Sequence, residues 1–240
     1  MEYSEKKRVM EHSQAMHYSD MVMQKTTKYC GMIFRRFMVN GSVLELGPAE
    51  GVMTDVLCSY FDDYTVVDGV DYFVEEIEKR HPKIKGHASL FEDFVPDQKY
   101  NNIVLGHVLE HVENPVEILK MCGTWLSDNG CIVAAVPNAK SIHRQAAVLM
   151  GLLETEYQLN EQDEKNGHRR VYDMDSLKND FIKADYEIIT CGGYWFKPVS
   201  NAQINENWNE KMIDSFLRLG EKYPDISGEI YIIANKKHHS

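Results

Sequence analysis

The run Val43-Leu44-Glu45-Leu46-Gly47-Pro48-Ala49-Glu50-Gly51 constrains the fold more than any other stretch of the chain. It reads as a buried strand ending in a tight glycine turn that opens a helix over Met53 to Phe61, where Val56, Leu57 and Phe61 recur at helical spacing. Glycines at 47 and 51 let the backbone turn sharply and come close to a ligand with no Cβ in the way. A second apolar run, Tyr64-Thr65-Val66-Val67, ends at Asp68. A carboxylate at the end of a second strand suits the two hydroxyls of a ribose, so the pattern is that of a nucleotide-type cofactor loop.

The rest of the chain alternates in the same way. Strands are expected at 43–46, 64–67, 84–87, 101–106, 130–136, 186–191 and 228–235, with helices between most of them, including Ser176 to Lys183. That alternation predicts an open α/β sheet. Residues 5 to 38, free of proline and rich in Met, Tyr and Phe, read as helical up to Gly41. Two stretches exceed ordinary connections, Ala139 to Asp173 and Tyr194 to Pro224, and long insertions beyond strand ends often carry function. The expectation is one domain over 1–240: a helical lid at 1–40, a cofactor-binding core at 41–138, and insertions at 139–173 and 194–224 that wall a substrate pocket. Tyr3, Tyr18, Trp195 and Phe196 are candidates to line it.

Composition narrows the partners. With 240 residues, 43% of them hydrophobic, the chain can bury a sizeable core, and a net charge of -11 argues against a surface built for nucleic-acid phosphates. Cys30, Cys58, Cys122, Cys131 and Cys191 are odd in number and lack C-x-x-C spacing, the pattern of buried thiols in a reducing cytosol. No apolar stretch resembles a signal peptide or a membrane span, so a cytoplasmic location is expected, with no membrane partner and a monomer or homodimer as the assembly.

From the glycine loop onward the chain resembles the class I S-adenosylmethionine-dependent methyltransferases, whose first motif is acidic-x-Gly-x-Gly-x-Gly. Glu45, Gly47, Ala49 and Gly51 match it, with Ala49 where the middle glycine usually stands. Asp68 falls on the ribose-binding acid, Leu90-Phe91-Glu92 on the segment flanking the adenine, and Tyr100-Asn101-Asn102-Ile103-Val104 on the fourth strand, with Asn101 replacing the usual Asp. Gly106-His107-Val108-Leu109-Glu110-His111-Val112 is very close to the post-strand motif, and Leu126 to Asn138 fits the fifth strand. The resemblance implies a Rossmann-like open seven-stranded sheet with helices on both faces and the last strand antiparallel. It implies S-adenosylmethionine as cofactor, S-adenosylhomocysteine as product, and contacts from Glu45, Gly47, Pro48, Ala49, Gly51, Asp68, Gly69, Leu90, Phe91, Glu92 and His107. A dinucleotide dehydrogenase also uses strand, glycine turn and acid, but the Gly-x-Gly-x-x-Gly spacing is missing here and Glu45 precedes the glycines inside the strand.

His107 and His111 stand four apart on an expected helix, as two metal ligands do, yet Glu110 is not where a zinc protease needs it and no cysteine cluster completes a site. No metal is expected: His111 reads as a helix-face histidine, and His107, directly after the fourth strand, as facing the cofactor cleft. A second cluster, Gly167-His168-Arg169-Arg170-Val171-Tyr172, is basic within an acidic chain, and Ser141-Ile142-His143-Arg144 leaves the fifth strand from the same edge. His143, Arg144, His168, Arg169 and Tyr172 are therefore expected around one cavity, with Arg170 pointing to solvent. Similar stretches occur in methyltransferases of small metabolites and natural products. If the acceptor is a hydroxyl or amine, His107, His143 or His168 serves as base; if it is a carboxylate, Arg144, Arg169 or Arg170 holds it by a matching fork. The leading expectation is O-methylation of an anionic small molecule or peptide carboxylate. The alternatives are N-methylation of an amino sugar or other amine, and a cofactor-binding protein without turnover.

Overall fold

A computed structural model describes residues 2–13 and 20–237. Seven strands form one sheet: β1 (Val43–Leu46), β2 (Tyr64–Asp68), β3 (Lys85–Ala88), β4 (Tyr100–Gly106), β5 (Leu126–Pro137), β6 (Tyr186–Tyr194) and β7 (Glu229–Lys236). Their spatial order is β3-β2-β1-β4-β5-β7-β6. β1 to β5 pair in parallel, and β7 runs antiparallel to both β5 and β6. The order reverses between β1 and β4, which opens a crevice at the carboxyl ends of those two strands, the place where open α/β sheets bind ligands.

Strand side chains alternate between two cores, as the period of two requires. Leu44, Leu46, Ile103, Leu105, Ile132, Ala134, Ile230 and Ile232 face one core with α5 (Pro115–Trp125) and α8 (Met174–Lys183). Val43, Val104, Val133, Ala135, Tyr231 and Ile233 face the other with α2 (Met21–Arg35) and α10 (Glu210–Gly220). The edge strand β3 is largely exposed and carries Lys85 and His87, which suits an unpaired edge. The remaining helices are α1 (Glu2–Ser13), α3 (Thr54–Leu57), α4 (Asp71–Arg80), α6 (Ile142–Leu149), α7 (Glu161–Lys165) and α9 (Asn201–Asn207). Among the described residues no helix is long and apolar enough to cross a membrane.

Several sequence expectations need correction. The helix after the glycine loop is only Thr54–Leu57, with the chain already in turns by Ser59. His107 to Val112 is a turn: His107 takes φ 60, a left-handed value that no helix contains, so His107 and His111 do not share a helix face. β5 starts at Leu126 because Tyr100 pairs with Leu126, and a register shift then brings Cys131 opposite Asn102. Cys30, Cys122 and Cys131 are buried, whereas Cys58 and Cys191 are half-buried. Tyr18, the residues 238–240 and the Tyr3 side chain lie outside what the structure describes.

The glycine loop sits in left-handed backbone three times, at Gly47 (φ 63), Ala49 (φ 48) and Gly51 (φ 77). At Gly51 a Cβ would also lie 2.8 Å from Ile77 Cγ1 on α4, so glycine there sets the contact between loop and helix. Gly51→Ala should destabilise the protein by about 1 to 3 kcal/mol, read from urea unfolding. Ala49→Gly, which relieves a left-handed alanine, should cost nothing or raise the midpoint.

Candidate active site

Two cavities meet at the carboxyl ends of β1, β4 and β5. The first lies over the glycine loop and is lined by Gly47, Ala49, Asp68, Gly69, Leu90, Phe91 and Glu92, with Glu5, Arg8 and Val9 of α1 on its far wall. The second, of about 620 Å³, lies between the Asn160–His168 region, α2, and the segment after β6. That volume is within the range of small-molecule sites. His107, His111 and Asn166 line both.

In the first cavity Asp68, at the end of β2, accepts from the Ala49 N–H (3.1 Å) and the Val70 N–H (2.9 Å). It thereby fastens the loop that follows β1 to the end of β2. It is 6% exposed, and burial raises its pKa to about 6 against those two hydrogen bonds. Glu45 lies deeper, in β1, and accepts from Thr54 Oγ1 and Tyr64 OH, both at 2.7 Å. Burial lifts it to about 7, with the hydroxyls pulling the other way. Glu45 and Gly51 support the loop from beneath and are not among the cavity-lining residues, and Pro48 is likewise absent from the wall. A Cβ on Gly47 would lie 3.1 Å from Val108 Cγ2, so glycine leaves room between the loop and the turn after β4.

His107 is the pivot. Its Nε2 is 3.3 Å from Tyr194 OH, and its Nδ1 is 3.4 Å from Glu110 Oε1 and 3.8 Å from Glu229 Oε2. Burial opposes its charge, but Glu229 and Glu110 outweigh burial and raise the pKa to about 9. Among the described residues both Glu110 oxygens and Glu229 Oε2 are buried without a hydrogen-bond partner, so their tie to His107 is through charge.

The basic cluster turns out differently from its sequence reading. Arg144 is 5% exposed and fully engaged: it pairs with Asp163 (3.0 Å) and donates to the carbonyls of Glu156 and Gln158. Arg169 pairs with Glu5 (2.8 Å) and donates to the His111 carbonyl (3.0 Å). Arg170, expected in solvent, instead donates to the carbonyls of Leu109, Val112 and Glu113. Tyr172 is buried, donates to Asp180 and lies outside both cavities. Of the expected cluster, His143, Arg144 and His168 do line the second cavity. Trp195 joins them, whereas Phe196 packs on Phe216 and Tyr223.

Lys197 and Glu229 also line the second cavity and were not singled out by sequence. Lys197 follows the end of β6 by three residues and Glu229 opens β7; neither position carries a motif. Among the described residues Lys197 has no carboxylate within ion-pairing distance, and burial lowers its pKa. Among the described residues His143 Nδ1 is buried with no hydrogen-bond partner, and burial, then Lys197, holds its pKa down at about 3.

Comparison with known proteins shows the family. The methyltransferase domain family matches residues 21–190. The chain belongs to that family, as a class I S-adenosylmethionine-dependent methyltransferase. A probable S-adenosylmethionine-dependent methyltransferase of Mycobacterium tuberculosis is 27% identical over 97 residues, which are 40% of this chain and 35% of that protein. The chain thus matches about a third of that relative's length. An S-adenosylmethionine-dependent methyltransferase from Mesorhizobium loti superposes with TM-score 0.64 at 13% identity, covering 88% of this chain and 98% of the other. The plantazolicin methyltransferase BpumL, solved with a monoazolic desmethyl analog and S-adenosylhomocysteine, gives 0.58 at 16% identity, over 90% and 84%.

The first cavity of this methyltransferase fits the family's cofactor. A buried carboxylate at Asp68 suits a ribose diol, and Leu90 and Phe91 offer apolar walls for an adenine. Asp68→Ala should weaken S-adenosylhomocysteine binding by about 1.5 to 3 kcal/mol by calorimetry. Asp68 and Glu45 both have folded-state values above their ordinary ones of about 4, so stability from this pair falls as pH rises from there toward about 7. A ligand that bonds to the ionised carboxylate releases the proton. Affinity should therefore rise across that window, with proton release seen as a buffer-dependent binding heat that Asp68→Asn reduces.

Arg8 donates to the carbonyls of Gly167 (3.1 Å) and His111 (2.8 Å), so Arg8, Glu5 and Arg169 together tie α1 over the first cavity. Arg169→Ala should speed S-adenosylhomocysteine release by about 5-fold or more, the scale of one lost charge-assisted contact, measured by stopped flow.

Proposed function

We propose that this chain methylates a hydroxyl oxygen of a small, polar, anionic acceptor seated in the second cavity. The observation that carries the reading is Lys197: a cavity-lining ammonium without an ion-pair partner among the described residues, in a cavity that meets the cofactor cavity at His107. The carboxylate clamp expected of Arg144 and Arg169 has no support, because both guanidinium groups are engaged by Asp163, Glu5 and backbone carbonyls. Lys197 takes over the role of anchoring the acceptor's negative group.

The cofactor, when bound, supplies a methyl group on an already activated sulfonium, so the protein's contribution is alignment of an in-line displacement. Lys197 fixes one end of the acceptor. His143 stands on the same wall as a neutral imidazole, and a pKa held down at about 3 makes it a polar contact for the acceptor hydroxyl, whose proton is released to water. His107 forms the floor between the two cavities, where the accepting oxygen has to meet the methyl carbon.

An amine acceptor is the second reading. It is favoured by Glu110 and Glu229, whose buried oxygens lack hydrogen-bond partners and suit a cation. Hydroxyl and amine acceptors screened with labelled cofactor separate the two. With an acceptor in hand, Lys197→Met should raise KM for an anionic hydroxyl compound about 10-fold, leaving S-adenosylhomocysteine affinity unchanged. Native KM in that variant, or methylation of amines alone, would sink the hydroxyl reading.

A further inference from the structure

One group of side chains at the boundary of the two cavities has an arrangement that methyl transfer to a hydroxyl does not call for. Glu110, His111 and His168 each present a ligand atom, and these atoms all lie within 4.8 Å of one another. Glu110 is 1% exposed, and among the described residues neither of its carboxylate oxygens has a hydrogen-bond partner. A buried carboxylate in that condition is costly unless something positive meets it. His107 answers part of the charge from 3.4 Å, but without making a hydrogen bond.

The two imidazoles are set for a common centre. Their ring centroids are 4.7 Å apart and the planes nearly perpendicular, at 80°. His168 turns Nδ1 toward Asp163, 3.2 Å away though off the line of a hydrogen bond, which leaves Nε2 for another partner. Asp163 is itself fixed by Arg144 and by the Asn160 capping box of α7. A carboxylate behind the second nitrogen of a histidine is how metal-bound imidazoles are oriented.

The backbone is fixed as well. The Arg169 N–H donates to the Glu110 carbonyl at 2.8 Å, and the His111 carbonyl accepts from Arg8 and Arg169. All three side chains border the second cavity, and His111 borders the first too.

We propose that Glu110, His111 and His168 bind one divalent transition-metal ion, with its remaining positions open to the second cavity. Two imidazoles and one carboxylate are a donor set suited to zinc and its neighbours rather than to magnesium or calcium. Atoms held at roughly 2.0 to 2.2 Å from one ion stand about 3 to 4 Å from each other, so the three side chains have to close in from their present spacing as the ion binds. An ion there offers a coordination position to an acceptor oxygen or to water. The proposal concerns ion binding and holds whichever acceptor atom is methylated.

The test uses the full chain, stripped of metal by a chelator and titrated with zinc against a chromophoric competitor, then with cobalt(II) followed by absorbance. The expected result is one equivalent of zinc, with affinity reduced at least 10-fold in Glu110→Gln and in His168→Ala. His143→Ala, on the same cavity wall but outside the cluster, should bind as native does. S-adenosylhomocysteine affinity of each variant reports whether its fold is intact. Absence of stoichiometric binding, or native affinity in both Glu110→Gln and His168→Ala, overturns the proposal. Should a variant fail to fold, the cobalt spectrum of the native protein decides: d–d bands without thiolate charge transfer support the site, and thiolate charge transfer overturns it.

Discussion

The turn that leaves β4 depends on arginines that reach it from distant parts of the chain, and both cavities depend on that turn. Residues 109 to 113 have few backbone partners of their own, since the strand has ended and α5 has not begun. Arg170 satisfies the carbonyls of Leu109, Val112 and Glu113, Arg169 that of His111, and Arg8 adds a second donor to His111. Buried carbonyls without partners are costly, so these contacts let an irregular turn sit in the interior. His107, Glu110 and His111 can then project from a fixed frame toward the meeting point of two cavities.

The glycine loop rests on a different device. Gly47, Ala49 and Gly51 hold left-handed backbone, and Asp68 fastens the loop by accepting from the Ala49 N–H. The same carboxylate faces the first cavity, so one residue both closes the loop and offers itself to a ligand. The cost is desolvation, visible in the raised pKa values of Asp68 and Glu45. Acids kept partly uncompensated in the free protein have interactions left for a cofactor to complete.

Much of the architecture was legible because sheet strands alternate and glycine turns have a steric signature. All seven strands were expected close to where they lie, and the loop acids were placed by the ends of β1 and β2. Local patterns failed where the backbone obeyed a distant partner. His107 to Val112 carries helix-compatible residues, yet a left-handed His107 and arginines from the 168–170 segment make it a turn. The Arg-rich cluster reads as a ligand clamp because charge in a sequence has no direction. In the fold Arg144 looks inward to Asp163, and Arg169 and Arg170 look toward carbonyls. Lys197 and Glu229 are invisible for the opposite reason, as single charges without neighbours of their kind, brought to the cavity by the carboxyl end of β6 and by the antiparallel start of β7.

That return of β7 has a consequence for chemistry. Inserting an antiparallel strand between β5 and β6 places the start of β7 beside the carboxyl ends of the parallel strands. Glu229 therefore opens β7 opposite Pro137, the last residue of β5, and next to Tyr194, the last residue of β6. Tyr194 reaches His107 Nε2 while Glu229 lies near its Nδ1, so the ring is addressed on both nitrogens by the two antiparallel partners. A fully parallel sheet would put the beginning of that strand at the opposite edge, away from the ligand crevice. The antiparallel strand is thus a means of delivering an acid from an N-terminal strand end to a site otherwise built from C-terminal ends, and that acid is the leading influence that raises the pKa of His107 against burial.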